Sequence, residues 1–184
     1  LCGTSAGAIN AASLAVWAED FDAAVANLLQ VWENFSAHQV YRADPAGIGV
    51  AGARWLATLA VGWITRRAPR SLLDNSPLRQ LLQTGLDFDR IGRAIESGAL
   101  HSLSITCSGY SSGQSVCFFQ GRAGLDAWRR SQRVGVPARI TLDHLMASSA
   151  IPFIFPAVHL HREWFGDGSM RQVAPVSPAI HLGA

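Results

Sequence analysis

Two glycines set around a serine near the start of the chain constrain its fold most. Gly3-Thr4-Ser5-Ala6-Gly7 places glycine two positions before and two positions after Ser5. An Ala-rich run without proline follows at once, SAGAINAASLAVW over 5–17, and reads as a helix opening at Ser5. G-x-S-x-G ahead of a helix is the pattern of a sharp strand-to-helix turn that lifts a serine hydroxyl clear of the backbone. The residues flanking such a turn approach closely, and glycine at both places removes Cβ atoms that would clash. The helix then aims its first N–H groups and the positive end of its dipole at the Ser5 oxygen. In that geometry the Ala6 N–H can bind a developing oxyanion. Two plainer readings stand beside this one: a small-residue turn where a helix packs on a sheet, and a helix start that holds phosphate without chemistry.

A nucleophilic serine needs a proton acceptor. The six histidines are His38, His101, His144, His159, His161 and His181, and none lies in a motif that marks it for the task. His159 and His161 alternate on an expected strand, and with Glu163 they could be read as an H-x-H-x-E ligand set. Strand periodicity alone produces such runs, so a solvated strand face is the preferred reading and no metal is expected. Asp167 is different. It stands between two glycines after an apolar run, in Phe165-Gly166-Asp167-Gly168-Ser169. An Asp can take a serine proton directly when it is within hydrogen-bond reach and partly desolvated. Taken alone, Asp-Gly is also a common hairpin turn.

The rest of the chain mixes helices and strands, which points to α/β. Asp20 is placed to cap a helix over 21–35, with Phe21, Val25, Leu28, Leu29, Trp32 and Phe35 on one face. Ser76-Pro77 opens a helix to about 83, and Asp87 opens another over 88–97 that Gly98 ends. Residues 102–109 and 115–120 read as two strands joined by a Ser/Gly turn. Thr141 caps a short helix over 142–149. IPFIFP at 151–156 is then expected to be extended, because each proline disfavours helix in the residue before it. Residues 157–165 alternate, as a strand pair or one bent strand would.

Composition narrows the partners. The chain has 184 residues, 49% of them hydrophobic and 15% charged, enough for one domain with a sizeable core. A net charge of +2 is too mild for nucleic acid. Cys2, Cys107 and Cys117 are neither a disulfide framework nor a zinc signature. Cys107 and Cys117 lie in apolar, strand-like runs and read as small core residues in a reducing compartment, the cytoplasm. Residues 47–65 are apolar except for Arg54, Thr58 and Thr65, and Arg66, Arg67 and Arg70 follow. Arg54, well inside the stretch, and four glycines argue against a membrane span. The segment is expected to be a cap helix or an interfacial one, with 47–70 as the contact to a membrane surface.

Gly3-Thr4-Ser5-Ala6-Gly7-Ala8-Ile9-Asn10-Ala11 resembles the nucleophile segment of patatin-like phospholipases. Asp167-Gly168-Ser169 is similar to that family's D-G-[GAS] motif, and Ala147-Ser148-Ser149-Ala150-Ile151-Pro152 looks like its A-S-x-A-x-P segment. The resemblance covers nearly the whole chain and is weakest over 36–75. It implies a three-layer α/β/α sandwich around a mainly parallel sheet, in a single domain over 1–184 with 36–75 as a variable cap or lid. It implies a Ser–Asp dyad that needs no cofactor and cleaves phospholipid, acylglycerol or other lipid esters through an acyl-serine. By position, Ser5 is the nucleophile and Asp167 the base, with Gly3, Ala6, Gly7 and Gly168 supporting the turns. The same acyl-serine would serve an acyltransferase, and the same fold a non-catalytic lipid- or membrane-binding module. The family's glycine-rich oxyanion loop precedes its nucleophile, whereas only Leu1 and Cys2 precede Gly3 here. The chain is therefore expected to be a fragment, incomplete at both ends and inactive by itself.

Overall fold

The computed structural model describes residues 1–34, 36–42, 49–50, 52–53, 56, 71–172 and 175–184. Most of the 47–70 segment, with its arginines and its expected role at a membrane surface, lies outside the described residues, as does Phe35.

The elements run β1 Cys2–Thr4, α1 Ala6–Val16, α2 Phe21–Glu33, α3 Ser76–Gly85, α4 Asp89–Glu96, β2 Ser102–Gly109, β3 Ser115–Gly121, β4 Trp128–Arg130, β5 Arg133–Pro137, α5 Leu142–Ser148, β6 Val158–Leu160, β7 Glu163–Asp167 and α6 Val176–His181. The strands form one sheet in the order β4-β5-β3-β2-β7-β6, with β1 also on β2. The fold is α/β as expected, and the sheet is mixed. β1–β2 and β3–β5 are parallel, while β2–β3, β2–β7, β4–β5 and β6–β7 are antiparallel. Among the described residues, two of the strand pairings are thus parallel. The short connections after β2, β4 and β6 fold each strand back on the next, as hairpins do.

β2 is the axis of the sheet and is buried along its whole length. Leu103, Ile105 and Cys107 face one side, and Ala8, Ala11, Ala12 and Ala15 of α1 pack there with Ile91 of α4 and Leu145 of α5. Four alanines give α1 a nearly flat face, which brings its backbone close to the sheet. The alternate residues of β2, Ser102 to Ser108, face the other side. A ring stack of Phe119, Trp128 and His181 links the sheet to α6 there. Helices thus lie on both sides of the sheet.

Several local expectations hold and others change. Asp20 accepts the Ala23 N–H and caps α2. Among the described residues of α2 only Ala24 is buried, while Phe21, Val25, Leu29 and Trp32 lie exposed on the apolar face read from the sequence. Residues 151–155 are a tight turn instead of an extended segment: the Ile154 and Phe155 N–H groups both bond Ile151 O, and Phe153 takes φ +68°. Pro152 lies inside that turn and Pro156 follows it, and neither straightens it. Residues 157–165 are a strand pair, and His161 sits in its turn at φ +56°. His159 and His161 therefore do not share a strand face, and among the described residues no group of three His, Cys, Asp or Glu side chains could hold a metal. The pair β4 and β5, unread from the sequence, turns at Ser131–Gln132. Among the described residues no helix is long and apolar enough to cross a membrane.

Candidate active site

The register of the sheet explains how residues 162 positions apart meet. β1 and β7 run along the same edge of β2, end to end and from opposite directions. Thr4 at the end of β1 lies opposite Thr106, and Asp167 at the end of β7 lies opposite Cys107, one residue further along β2. The residues leaving the two strands are therefore brought face to face. Ser5 Oγ donates to Asp167 Oδ2 at 2.6 Å, and Asp167 Oδ1 accepts the Ser169 N–H at 2.8 Å. Asp167 is only 2% exposed. Its own N–H bonds Ala150 O at 2.8 Å, so both its backbone and its carboxylate are held.

Ser5 joins β1 directly to α1 at φ +54° and ψ −130°. A non-glycine residue in that region is strained by about 1–3 kcal/mol and persists only where its surroundings hold it. Two constraints are visible. The first is Gly3, where a Cβ would collide with Gly7 O and lie 2.6 Å from Ala8 Cα. The second is Ser148 at the end of α5. Its hydroxyl accepts the Ser5 N–H at 2.9 Å and donates to Thr106 O at 2.6 Å. Gly7 departs from expectation, because a Cβ there would meet nothing within 4 Å. Its place in the first turn of α1 leaves that side of the serine open. Gly168 is under the opposite pressure: a Cβ would strike Thr106 O and Thr4 Oγ1. Ala6 N–H, the first of α1, makes no hydrogen bond among the described residues, as expected of a helix start whose donors face outward.

The surroundings of the pair are poor in competing groups. Cys107 lies beneath Asp167, and burial above all, then Cys117 and the Asp167 charge, pushes its thiol well above the ordinary range. It stays protonated, and its S–H points to His144 O. Burial, then the Asp167 charge, likewise pushes the Tyr110 phenol up. Among the described residues no histidine bonds to Ser5 or Asp167. His144 is buried, its Nδ1 accepts the Thr141 N–H in the capping box of α5, and burial and then His161 bring it down to about 4. His101 bonds Leu182 O, and His181 stacks on Trp128. Ser148 is the site residue that motif reading passed over. Its signal was its place in the segment 147–152, which says that a serine belongs there without saying what it touches.

A strained serine bonded to a buried carboxylate, with helix N–H groups opening beside it, can form and release an acyl ester. No curated protein and no solved structure matches the chain. The family model described as patatin-like phospholipase matches residues 1–180. The chain belongs to the patatin-like phospholipase family, whose members are lipid acyl hydrolases.

Proposed function

We propose that this chain carries the Ser–Asp dyad of a lipid ester hydrolase, with Ser5 as nucleophile and Asp167 as its base. The observation that carries the reading is the 2.6 Å bond from Ser5 Oγ to Asp167 Oδ2 across a strained strand-to-helix turn. Asp167 takes the hydroxyl proton as Ser5 Oγ bonds the ester carbonyl carbon. The negative charge moves to the carbonyl oxygen, beside the Ala6 N–H. Collapse of that intermediate breaks the ester C–O bond, and the proton passes from Asp167 to the departing alcohol. Water then attacks the acyl-serine, giving its proton to Asp167. Breaking the acyl–Oγ bond releases the fatty acid, and the proton returns to Ser5.

The Ser169 N–H matters to this cycle. It holds Oδ1, leaving Oδ2 as the oxygen that meets the hydroxyl. A p-nitrophenyl ester assay and a fluorophosphonate probe on the full-length protein test the reading. Ser5→Ala and Asp167→Asn are each expected to lower kcat by roughly 10³-fold or more, since members of one catalytic unit act together. Replacing any single histidine should leave turnover in place. Retained activity in Asp167→Asn, or its loss in a histidine variant that still folds, sinks the dyad.

A further inference from the structure

We propose that Ser148 is a positioning residue that, with Ala150, sets the distance between Ser5 and Asp167; the proposal rests on the Ser–Asp reading above. The two members of the pair arrive on strands that end against each other on one edge of β2. No hydrogen bond of that edge runs from β1 to β7, since they lie end to end. Something outside the sheet must hold the junction, and the C-terminal end of α5 with the residues just after it touches both sides. Ser148 Oγ takes the Ser5 N–H at 2.9 Å, and Ala150 O takes the Asp167 N–H at 2.8 Å. Two positions of one short segment therefore grip the backbones of both residues.

Ser148 is suited to this by its second bond. Its hydroxyl proton goes to Thr106 O at 2.6 Å, so its lone pairs are directed at the Ser5 N–H instead of rotating freely. The side chain is 0% exposed, and water cannot replace it without a cavity. Thr106 O is also the atom against which Gly168 packs, just after Asp167. One carbonyl of β2 thus anchors the serine side through Ser148 and limits the aspartate side through Gly168. The Ser5 backbone needs this grip, because its φ of +54° is not one that a serine keeps unaided. Ser149 is a natural contrast: it is buried too, but its hydroxyl has no hydrogen-bond partner among the described residues.

The test compares Ser148→Ala, Ser148→Cys and Ser149→Ala in the full-length protein. It measures kcat and KM on a water-soluble p-nitrophenyl ester, the rate of fluorophosphonate labelling, and the melting curve. Ser148→Ala is expected to lower kcat and the labelling rate roughly 10²-fold, as a displacement near 1 Å does at a reacting centre, with KM within about twofold. Ser149→Ala should keep kcat within about twofold, since it removes a hydroxyl that bonds nothing among the described residues. Ser148→Cys keeps the volume with a weaker acceptor and should fall between. It carries the test where Ser148→Ala does not fold. Wild-type kcat in the folded Ser148 variants, or equal losses in Ser148→Ala and Ser149→Ala, overturns the proposal. Ser5→Ala and Asp167→Asn are measured alongside. If these two stay active, it is the dyad reading that fails.

Discussion

Gly3 and Gly7 look equivalent in the sequence, and the structure separates them. At Gly3 an added Cβ would lie 2.6 Å from Ala8 Cα and closer still to Gly7 O, where ordinary contact begins at 3.4 Å. Both obstacles are backbone, so no rotamer change relieves them. The turn of α1 that carries Ser5 must move by about 0.8 Å or more against a sheet packed at crystal-like density. Overpacking of this kind costs about 1–3 kcal/mol, and a backbone obstacle belongs at the upper end. At about 2–4 °C per kcal/mol for a chain of this size, Gly3→Ala should melt roughly 6–12 °C below wild type. At Gly7 the added methyl meets nothing within 4 Å. A helical Gly→Ala change there should add about 0.5–1 kcal/mol. Differential scanning calorimetry of the two variants decides the matter without any assay of activity. Equal melting temperatures, or a Gly7→Ala variant less stable than Gly3→Ala, would refute the close approach of α1 to β1. Activity adds a second reading: a Gly7→Ala variant that is more stable yet slower would mean that the open side of Ser5 is room for substrate.

Three other outcomes are expected. Gly168→Ala should lose stability by about 1–3 kcal/mol, since its Cβ meets a β2 carbonyl, and calorimetry beside Gly3→Ala checks it. His144 titrates at about 4 in the folded chain against 6.5 when free, so between those values the unfolded chain holds the extra proton. Stability from this group is full above about pH 6.5 and falls by about 3 kcal/mol as the pH drops to about 4. His144→Gln, which keeps a capping-box acceptor for Thr141, should flatten that slope in urea titrations at pH 4.5 and 7, and an unchanged slope assigns it elsewhere. Thr141→Ala should cost about 1 kcal/mol by uncapping α5, measured by the urea midpoint.

What the sequence made legible follows from where the physics is local. The buried strand β2 was read at its full length, because serine or threonine alternating with Leu103, Ile105 and Cys107 has the two-residue period of a strand. The glycine–serine turn and the Asp–Gly turn were read from short-range sterics, and both glycines nearest the β2 junction, Gly3 and Gly168, prove to be sites of close approach. β4 and β5 were missed because WRRSQRVGVP offers charged residues at an exposed sheet edge and no clean alternation. The turn over 151–155 was missed because the rule for residues before proline forbids helix but does not choose between extended chain and turn.

The harder case is Ser148. Ser148 and Ser149 are adjacent, both buried, and equal in propensity, size and hydrogen-bonding capacity. Their difference is one of direction: about 100° around the end of α5 turns one hydroxyl to the junction of β1 and β7 and the other away. That direction depends on where α5 docks, and the docking depends on β2 being the strand both halves share. A pattern of residues can state that serine, serine and alanine occur together before a proline. Only the register of the sheet, which sets Thr4 beside Thr106 and Asp167 beside Cys107, gives the first of those serines an N–H to accept and a carbonyl to lean on. The pair named by the sequence and the serine that holds it are thus different kinds of information, the one written in local sterics and the other in the meeting of two strand ends.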